Sequence, residues 1–110
     1  MNSDLVKVIE IERDGAVVGY VRYSEEVEYI YINQISVEKT WRRQGIASEL
    51  VYLVIKKTCK PLYGELYSAH GARFWGQFSR DIPLELDDTE LEEWCYNYGW
   101  FSVELGCPMV

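Results

Sequence analysis

Between Ile32 and Lys57 an apolar strand pattern runs through a basic turn into an amphipathic helix, with a single glycine at the junction. Ile32, Ile35 and Val37 belong to the strand, and Lys39, Arg42 and Arg43 crowd the turn. From Gly45 to Thr58, Ile46, Leu50, Leu53 and Val54 recur at helical spacing, and Lys56 and Lys57 fall in the last turn, where they suit the helix dipole. A strand feeding a turn and then a helix aims a row of backbone N–H groups and a helix N-terminus at any anion held in that turn. The fold must therefore present this turn at its surface.

The flanking segments complete an order of elements. Leu5 to Arg13 alternates apolar and polar residues, as a strand with one covered face does. Asp14-Gly15 follows, a two-residue hairpin signal because both residues tolerate positive φ. Ala16 to Tyr23 is the return strand, and Ser24-Glu25-Glu26 is the next turn. Val27 to Val37 carries Tyr and Ile on both faces, as a central strand covered on both sides does. Pro61 blocks helix, and Leu62 to Ser68 reads as a further strand. His70 to Arg80 fits either a short helix or an ordered aromatic loop. Asp87-Asp88-Thr89-Glu90 predicts a capped helix start, Gly99 its end, and Trp100 to Leu105 a last strand. The expected fold is one α+β domain over residues 1–110, a mostly antiparallel mixed sheet flanked by helices.

Charge limits the partners. Net charge is -7, yet all 11 Lys and Arg residues lie at or before Arg80. Beyond it stand Asp81, Glu85, Asp87, Asp88, Glu90, Glu92, Glu93 and Glu104 with no counter-charge. This balance argues against nucleic acid and for either a solvated acidic face or a surface that attracts a cation. No apolar run is long enough to span a bilayer and no charged-then-apolar leader is present, so membrane association is not expected. Cys59, Cys95 and Cys107 show no metal-ligand spacing and read as free thiols in a reducing cytoplasm.

Arg42, Gly45 and Ala47 stand at the spacing Arg-x-x-Gly-x-Ala. This resembles the Gln/Arg-x-x-Gly-x-Gly/Ala signature of the GCN5-related N-acetyltransferase (GNAT) family, whose loop grips the pyrophosphate of acetyl-coenzyme A. The resemblance runs best from Tyr29 to Lys57 and implies that family's acyl-coenzyme A N-acyltransferase fold. It implies that backbone groups of Ile35 and Val37 pair with the pantetheine arm, and that the turn from Arg42 and Arg43 through Gln44, Gly45, Ile46 and Ala47 to Ser48 holds the pyrophosphate. A second match is Glu93-Trp94-Cys95-Tyr96-Asn97-Tyr98-Gly99-Trp100, which resembles the family's helix ending Phe-Tyr-x-x-x-Gly-Phe. Its Tyr commonly protonates the departing thiolate. Aligned on Gly99-Trp100, that position falls on Cys95, so the candidates are Tyr96, then Cys95, then Tyr98. For the base that takes the amine proton, Glu28 and Tyr31 lie on the strand leading to the loop, with His70 as a secondary candidate.

One departure is structural. Family members usually place helices between their first two strands, and here Asp14-Gly15 joins the strands directly. The acceptor groove then lacks a wall and is shallow and open. The resemblance implies an enzyme transferring acetyl from acetyl-coenzyme A to a primary amine by direct attack. The acceptor would be cationic, a protein lysine ahead of a small metabolite; the open groove suits a large acceptor or a partner that completes the wall, and a homodimer is compatible with either reading. The rival expectation is a non-catalytic interaction protein that binds a basic partner through its acidic, aromatic C-terminal half.

Overall fold

The computed structural model describes residues 6–104. Five strands form one sheet in the order β1 (Val6–Arg13), β2 (Ala16–Glu25), β3 (Ile30–Val37), β4 (Leu62–Glu65) and β5 (Trp100–Val103). Three helices complete it: α1 (Ile46–Thr58), α2 (Ala69–Trp75) and α3 (Asp88–Tyr98). Every pairing is antiparallel except that of β3 with β4, which is parallel because α1 crosses between them. The mixed, mostly antiparallel sheet expected from the sequence is present.

Local chemistry accounts for the elements. Asp14 and Gly15 both have positive φ, 55° and 81°, which matches the twist of the strands they join. At α3, Asp87 and Glu90 form a reciprocal capping box, with Glu90 N–H donating to Asp87 Oδ1 at 2.8 Å and Asp87 N–H donating to Glu90 Oε1 at 3.0 Å. Gly99 ends the helix. The aromatic stretch after β4 begins with a helix, capped where the Ser68 hydroxyl accepts from Gly71 N–H.

Four boundaries move. β2 continues through Glu25, where a turn was expected. Its carboxylate is held by Lys60 at 3.1 Å and Lys7 at 3.7 Å, and the Lys60 hydrogen bond keeps it below the usual carboxylate range. The turn shifts to residues 26–29, closed by Glu26 N–H donating to Tyr29 O. Consequently β3 starts at Ile30, with Val27 89% exposed and Glu28 in the bend. β4 stops at Glu65, short of Ser68, and β5 ends at Val103; Leu105 lies outside the described residues.

The sheet is one-sided, against the expectation of a strand covered on both faces. Ile46, Leu50, Val51, Val54 and Ile55 of α1 are buried together with Val21, Tyr23, Ile30 and Ile32, and Trp75 of α2 stacks on Phe101 at 4.2 Å. Burial of such side chains drives the packing, and truncating fully buried Leu50 to Ala would cost about 2–5 kcal/mol. Across the other face run Val6, Ser24, Tyr31, Tyr63 and Ser102 in register, and none of them is buried. Among the described residues no helix is long and apolar enough to cross a membrane. Cys59 is disulfide-bonded, so the expectation of free thiols fails there; Cys95 is a free, buried thiol and Cys107 lies outside the described residues.

Candidate functional site

The parallel strands β3 and β4 pair at two positions, Ile30 with Leu62 and Tyr31 with Tyr63, and then part. Beyond that point β4 stays with β5, and Leu66 N–H donates to Gly99 O at 2.6 Å. β3 stays with β2, where Glu38 N–H donates to Val18 O at 2.8 Å. Alternate residues of an antiparallel strand bond to the same neighbour. The register Val37–Gly19, Ser36–Tyr20, Ile35–Val21 therefore turns Ser36 toward β2 and turns the backbone groups of Ile35 and Val37 away from it, into the gap. One of these groups is already used, since Arg42 Nε donates to Val37 O at 3.1 Å. A bulge at Asn33, where the register with β2 slips by one residue, bends the strand at the same place.

At the end of β3 a single 3₁₀ turn, Lys39–Trp41, leads to Arg42 in extended conformation and then to two left-handed residues, Arg43 (φ 64°) and Gly45 (φ 80°). The two left-handed residues turn the chain sharply from the 3₁₀ turn into α1. Gly45 is the N-cap of α1, and no side chain caps it. The first intrahelical bond of this end is Glu49 N–H to Gly45 O, which leaves the N–H groups of Ile46, Ala47 and Ser48 unclaimed by the helix. A Cβ at Gly45 would meet nothing within 4 Å, so open space lies beside the backbone there. Gly takes φ 80° without the steric cost a side chain brings, and it leaves the backbone bare to an approaching group.

Charge follows the same design. Lys39, Arg42 and Arg43 are exposed, and among the described residues none forms an ion pair. Lys39 and Arg42 line an open cleft of about 460 Å³ on the β2–β3 side, with Val17, Val18, Gly19 and Tyr20 of β2, Ser36 and Val37 of β3, and Glu38. The one acidic residue in the first turn of α1, Glu49, is neutralised by Arg13 at 3.0 Å. Gln44 is braced by its amide donating to Thr40 O at 3.3 Å. These groups fit a pyrophosphate, and the gap beside Ile35 and Val37 fits an extended, hydrogen-bonding arm. The sequence-predicted residues from Ile35 to Ser48 follow one another along the end of β3, the loop and the first turn of α1.

The candidates for proton transfer are placed less evenly. Glu28 sits in the exposed bend at the far end of β3 from the loop, and among the described residues it makes no hydrogen bond or ion pair. Tyr31 is the last residue of β3 paired with β4, and its hydroxyl donates to Glu65 Oε2 at 2.6 Å. That bond, with lesser help from burial and the Glu65 charge, pushes the phenol up to about 12, so Tyr31 is a proton-bearing donor at neutral pH. Tyr67 also donates to Glu65 Oε2, at 3.2 Å, and the same bond raises its phenol. Sequence reasoning missed Glu65 and Tyr67. The signal was there in Tyr63-Gly64-Glu65-Leu66-Tyr67, whose alternation puts Tyr63, Glu65 and Tyr67 on one side.

On α3, Cys95 is buried, its thiol donates weakly to Ser68 O at 3.6 Å, and burial, aided by the Glu92 charge, raises its pKa. Tyr96 is 90% exposed, and Tyr98 lies against Trp94 with ring centroids 6.0 Å apart. His70 is exposed in the first turn of α2.

Residues 2–69, from the first strand to the start of α2, match the model of the acetyltransferase (GNAT) family. The chain belongs to that family. The match covers the β3–loop–α1 unit and β4 and stops before α3. Solved structures agree in fold. An acetyltransferase from Bacillus cereus aligns with a TM-score of 0.59 at 15% identity, over 72% of this chain and 64% of that one. The ribosomal-protein-alanine N-acetyltransferase from Brucella melitensis aligns at 0.57 and 19%, over 67% and 63%. A protein described as a GNAT acetyltransferase from Bacteroides thetaiotaomicron aligns at 0.56 and 15%, over 70% of this chain. The chain spans 46% of that protein and 63–64% of the other two. No curated protein matches significantly in sequence.

Proposed function

We propose that this GNAT-family protein transfers an acetyl group from acetyl-coenzyme A to a primary amine by direct attack. The observation that carries the reading is the parting of β3 from β4 directly above an uncapped, glycine-bearing helix N-terminus. Acetyl-coenzyme A would supply the activated thioester. The chain's own residues do the rest. The N–H groups of the loop and of Ile46, Ala47 and Ser48 hold the pyrophosphate, with Lys39, Arg42 and Arg43 supplying counter-charge. Ile35 offers its backbone N–H and C=O to the pantetheine arm, and Val37 its N–H.

Glu65 receives the proton of the attacking ammonium, directly or through water, in the role for which the sequence offered Glu28 and Tyr31. Tyr31 and Tyr67 hold its carboxylate in place by two donated hydrogen bonds. Solvent protonates the departing thiolate. Cys95 turns its thiol into the core, and no hydrogen bond fixes the Tyr96 phenol among the described residues. With no Cys–His pair at the gap among the described residues, a covalent acetyl-enzyme route is not favoured.

The test joins two measurements on the same protein: calorimetric titration with acetyl-coenzyme A, and thiol release against a panel of primary amines. Binding together with amine-dependent thiol release supports the reading. Binding with no release on any amine would leave a coenzyme A-binding interaction module instead, and no binding would remove both.

A further inference from the structure

On the covered face of β2, Val21 and Tyr23 carry side chains into the core, and Gly19 carries none. Gly19 is itself buried, paired with Ile11 on one side and with Val37 on the other. The space beside its bare Cα is taken by the first turn of α1. A Cβ there would lie 2.9 Å from Ile46 Cγ2, 3.2 Å from Ser36 O and 3.4 Å from Leu50 Cδ1. Carbon atoms rest against one another at about 3.5–4.0 Å, so even a methyl group does not fit without a displacement.

The chemistry of the three neighbours decides which one yields. Ser36 O belongs to the backbone of β3, and Leu50 Cδ1 is the end of a flexible side chain. Ile46 Cγ2 is a methyl on the branched carbon of a helical residue, where χ1 has one strongly preferred state, so it moves only with its backbone. Ile46 is the first residue of α1, and its N–H is one that the helix leaves unclaimed. The other end of the loop is tied to the same stretch of β2. Glu38 N–H donates to Val18 O at 2.8 Å, and Arg42 Nε donates at 3.1 Å to the carbonyl of Val37, the residue opposite Gly19.

We propose that Gly19 is a positioning residue for this loop: by carrying no side chain it seats the first turn of α1, and so sets where the N–H groups of Ile46, Ala47 and Ser48 stand relative to the end of β3. It acts through Ile46, whose buried side chain rests on it. The inference rests on the reading that these N–H groups hold the pyrophosphate of acetyl-coenzyme A. A methyl group at residue 19 would lift the helix end by roughly half an ångström, and a close-packed interior passes such a shift on to its neighbours. Several hydrogen bonds to one pyrophosphate depend on their donors keeping their spacing, so affinity falls when one end of the loop moves and the other stays. Glu65 stands on β4, across the gap, and turnover at saturating cofactor is left in place.

The experiment compares the parent with Gly19→Ala and with the double variant Gly19→Ala, Ile46→Ala, which removes the opposing Cγ2. Calorimetry with acetyl-coenzyme A should show about tenfold weaker binding for Gly19→Ala, and tighter binding for the double variant than for Gly19→Ala. Thiol release on an amine the parent accepts should show the acetyl-coenzyme A KM raised and kcat held. Val103→Ala, buried on distant β5, should lower the melting temperature yet keep the parental affinity, which separates positioning from loss of stability. Amide NMR without ligand should show Ile46, Ala47 and Ser48 shifted in Gly19→Ala and returned toward the parent in the double variant. Parental affinity in Gly19→Ala, or no recovery in the double variant, would overturn the inference and leave the cofactor reading standing. A parent that binds no acetyl-coenzyme A, with the amides still shifting and returning, would remove the cofactor reading and leave the seating of α1 on Gly19. Should Gly19→Ala alone fail to fold, the double variant decides: a folded protein that binds supports the seating, and an unfolded one overturns it.

Discussion

The loop before α1 faces solvent with Lys39, Arg42, Arg43 and a set of backbone N–H groups. A cleft between the end of β4 and α3 faces it with Glu65, Glu92 and the exposed rings of Tyr67, Tyr96, Tyr98 and Trp100. The first region is made of main chain, and its side chains are adjuncts. Left-handed φ at Arg43 and Gly45 and an uncapped helix end create it. The second is made almost wholly of side chains. The difference teaches which part of such a molecule a family shares. Any sequence that keeps strand, glycine and helix rebuilds the loop and its uncapped helix end, and the family match covers them. A cleft of side chains on α3 is free to vary, and the match ends at residue 69, before α3 begins.

If the two regions divide the work in this way, substitutions should separate cofactor affinity from turnover. The largest effect is expected for Gly45→Glu. It puts a side chain on a backbone at φ 80° and a carboxylate where phosphate would sit. Calorimetry should show acetyl-coenzyme A affinity falling by about 100-fold or more, with a stability cost of about 1–2 kcal/mol in denaturant unfolding. Undiminished affinity would break the comparison at its first term.

Next comes Glu65→Gln. Removing the proton acceptor should lower turnover by about 100-fold while leaving acetyl-coenzyme A affinity unchanged, read from thiol release and calorimetry together. A matching loss in both would place Glu65 in cofactor binding.

Tyr31→Phe should act more gently, lowering turnover a few-fold by loosening Glu65. It also carries a pH signature. The folded-state phenol lies near 12 and the unfolded one near 10.0, chiefly because Tyr31 donates to Glu65. A pKa raised on folding gives stability that is fully present below pH 10 and lost as pH rises through 12. Unfolding measured over that alkaline window should therefore lose less stability in Tyr31→Phe than in the parent. Parallel curves would show that the hydrogen bond does not form in solution.

The smallest effect is expected from Tyr96→Phe. With the phenol solvent-exposed and no hydrogen bond fixing it, thiol release should change by less than about twofold. A large loss would restore the α3 phenol as proton donor.

What the sequence made legible follows the same division. The hairpin at Asp14-Gly15, the helix opened by Gly45 and the box at Asp87 and Glu90 are local chemistry, and each is found where the pattern put it. Ile35 and Val37 were assigned by position, and the register turns both into the gap. The open sheet face was less visible. Tyr and Ile alternate along β3 whether its polar side meets a helix or water, and only the packing of α1 and α2 on one face decides it. Glu65 was hidden for a related reason. Its importance comes from a parallel partner more than thirty residues away, Tyr31, which no local spacing announces. Glu28 attracted attention as part of a strand whose start lies two residues later, at Ile30.

Backbone amide NMR during titration with acetyl-coenzyme A tests the central claim most directly. The account predicts large shifts at Ile35, Val37, Gly45, Ile46, Ala47 and Ser48, with amides from Glu92 to Tyr98 nearly unmoved. Shifts centred on α3 with the loop silent, or no shifts at all, would contradict it.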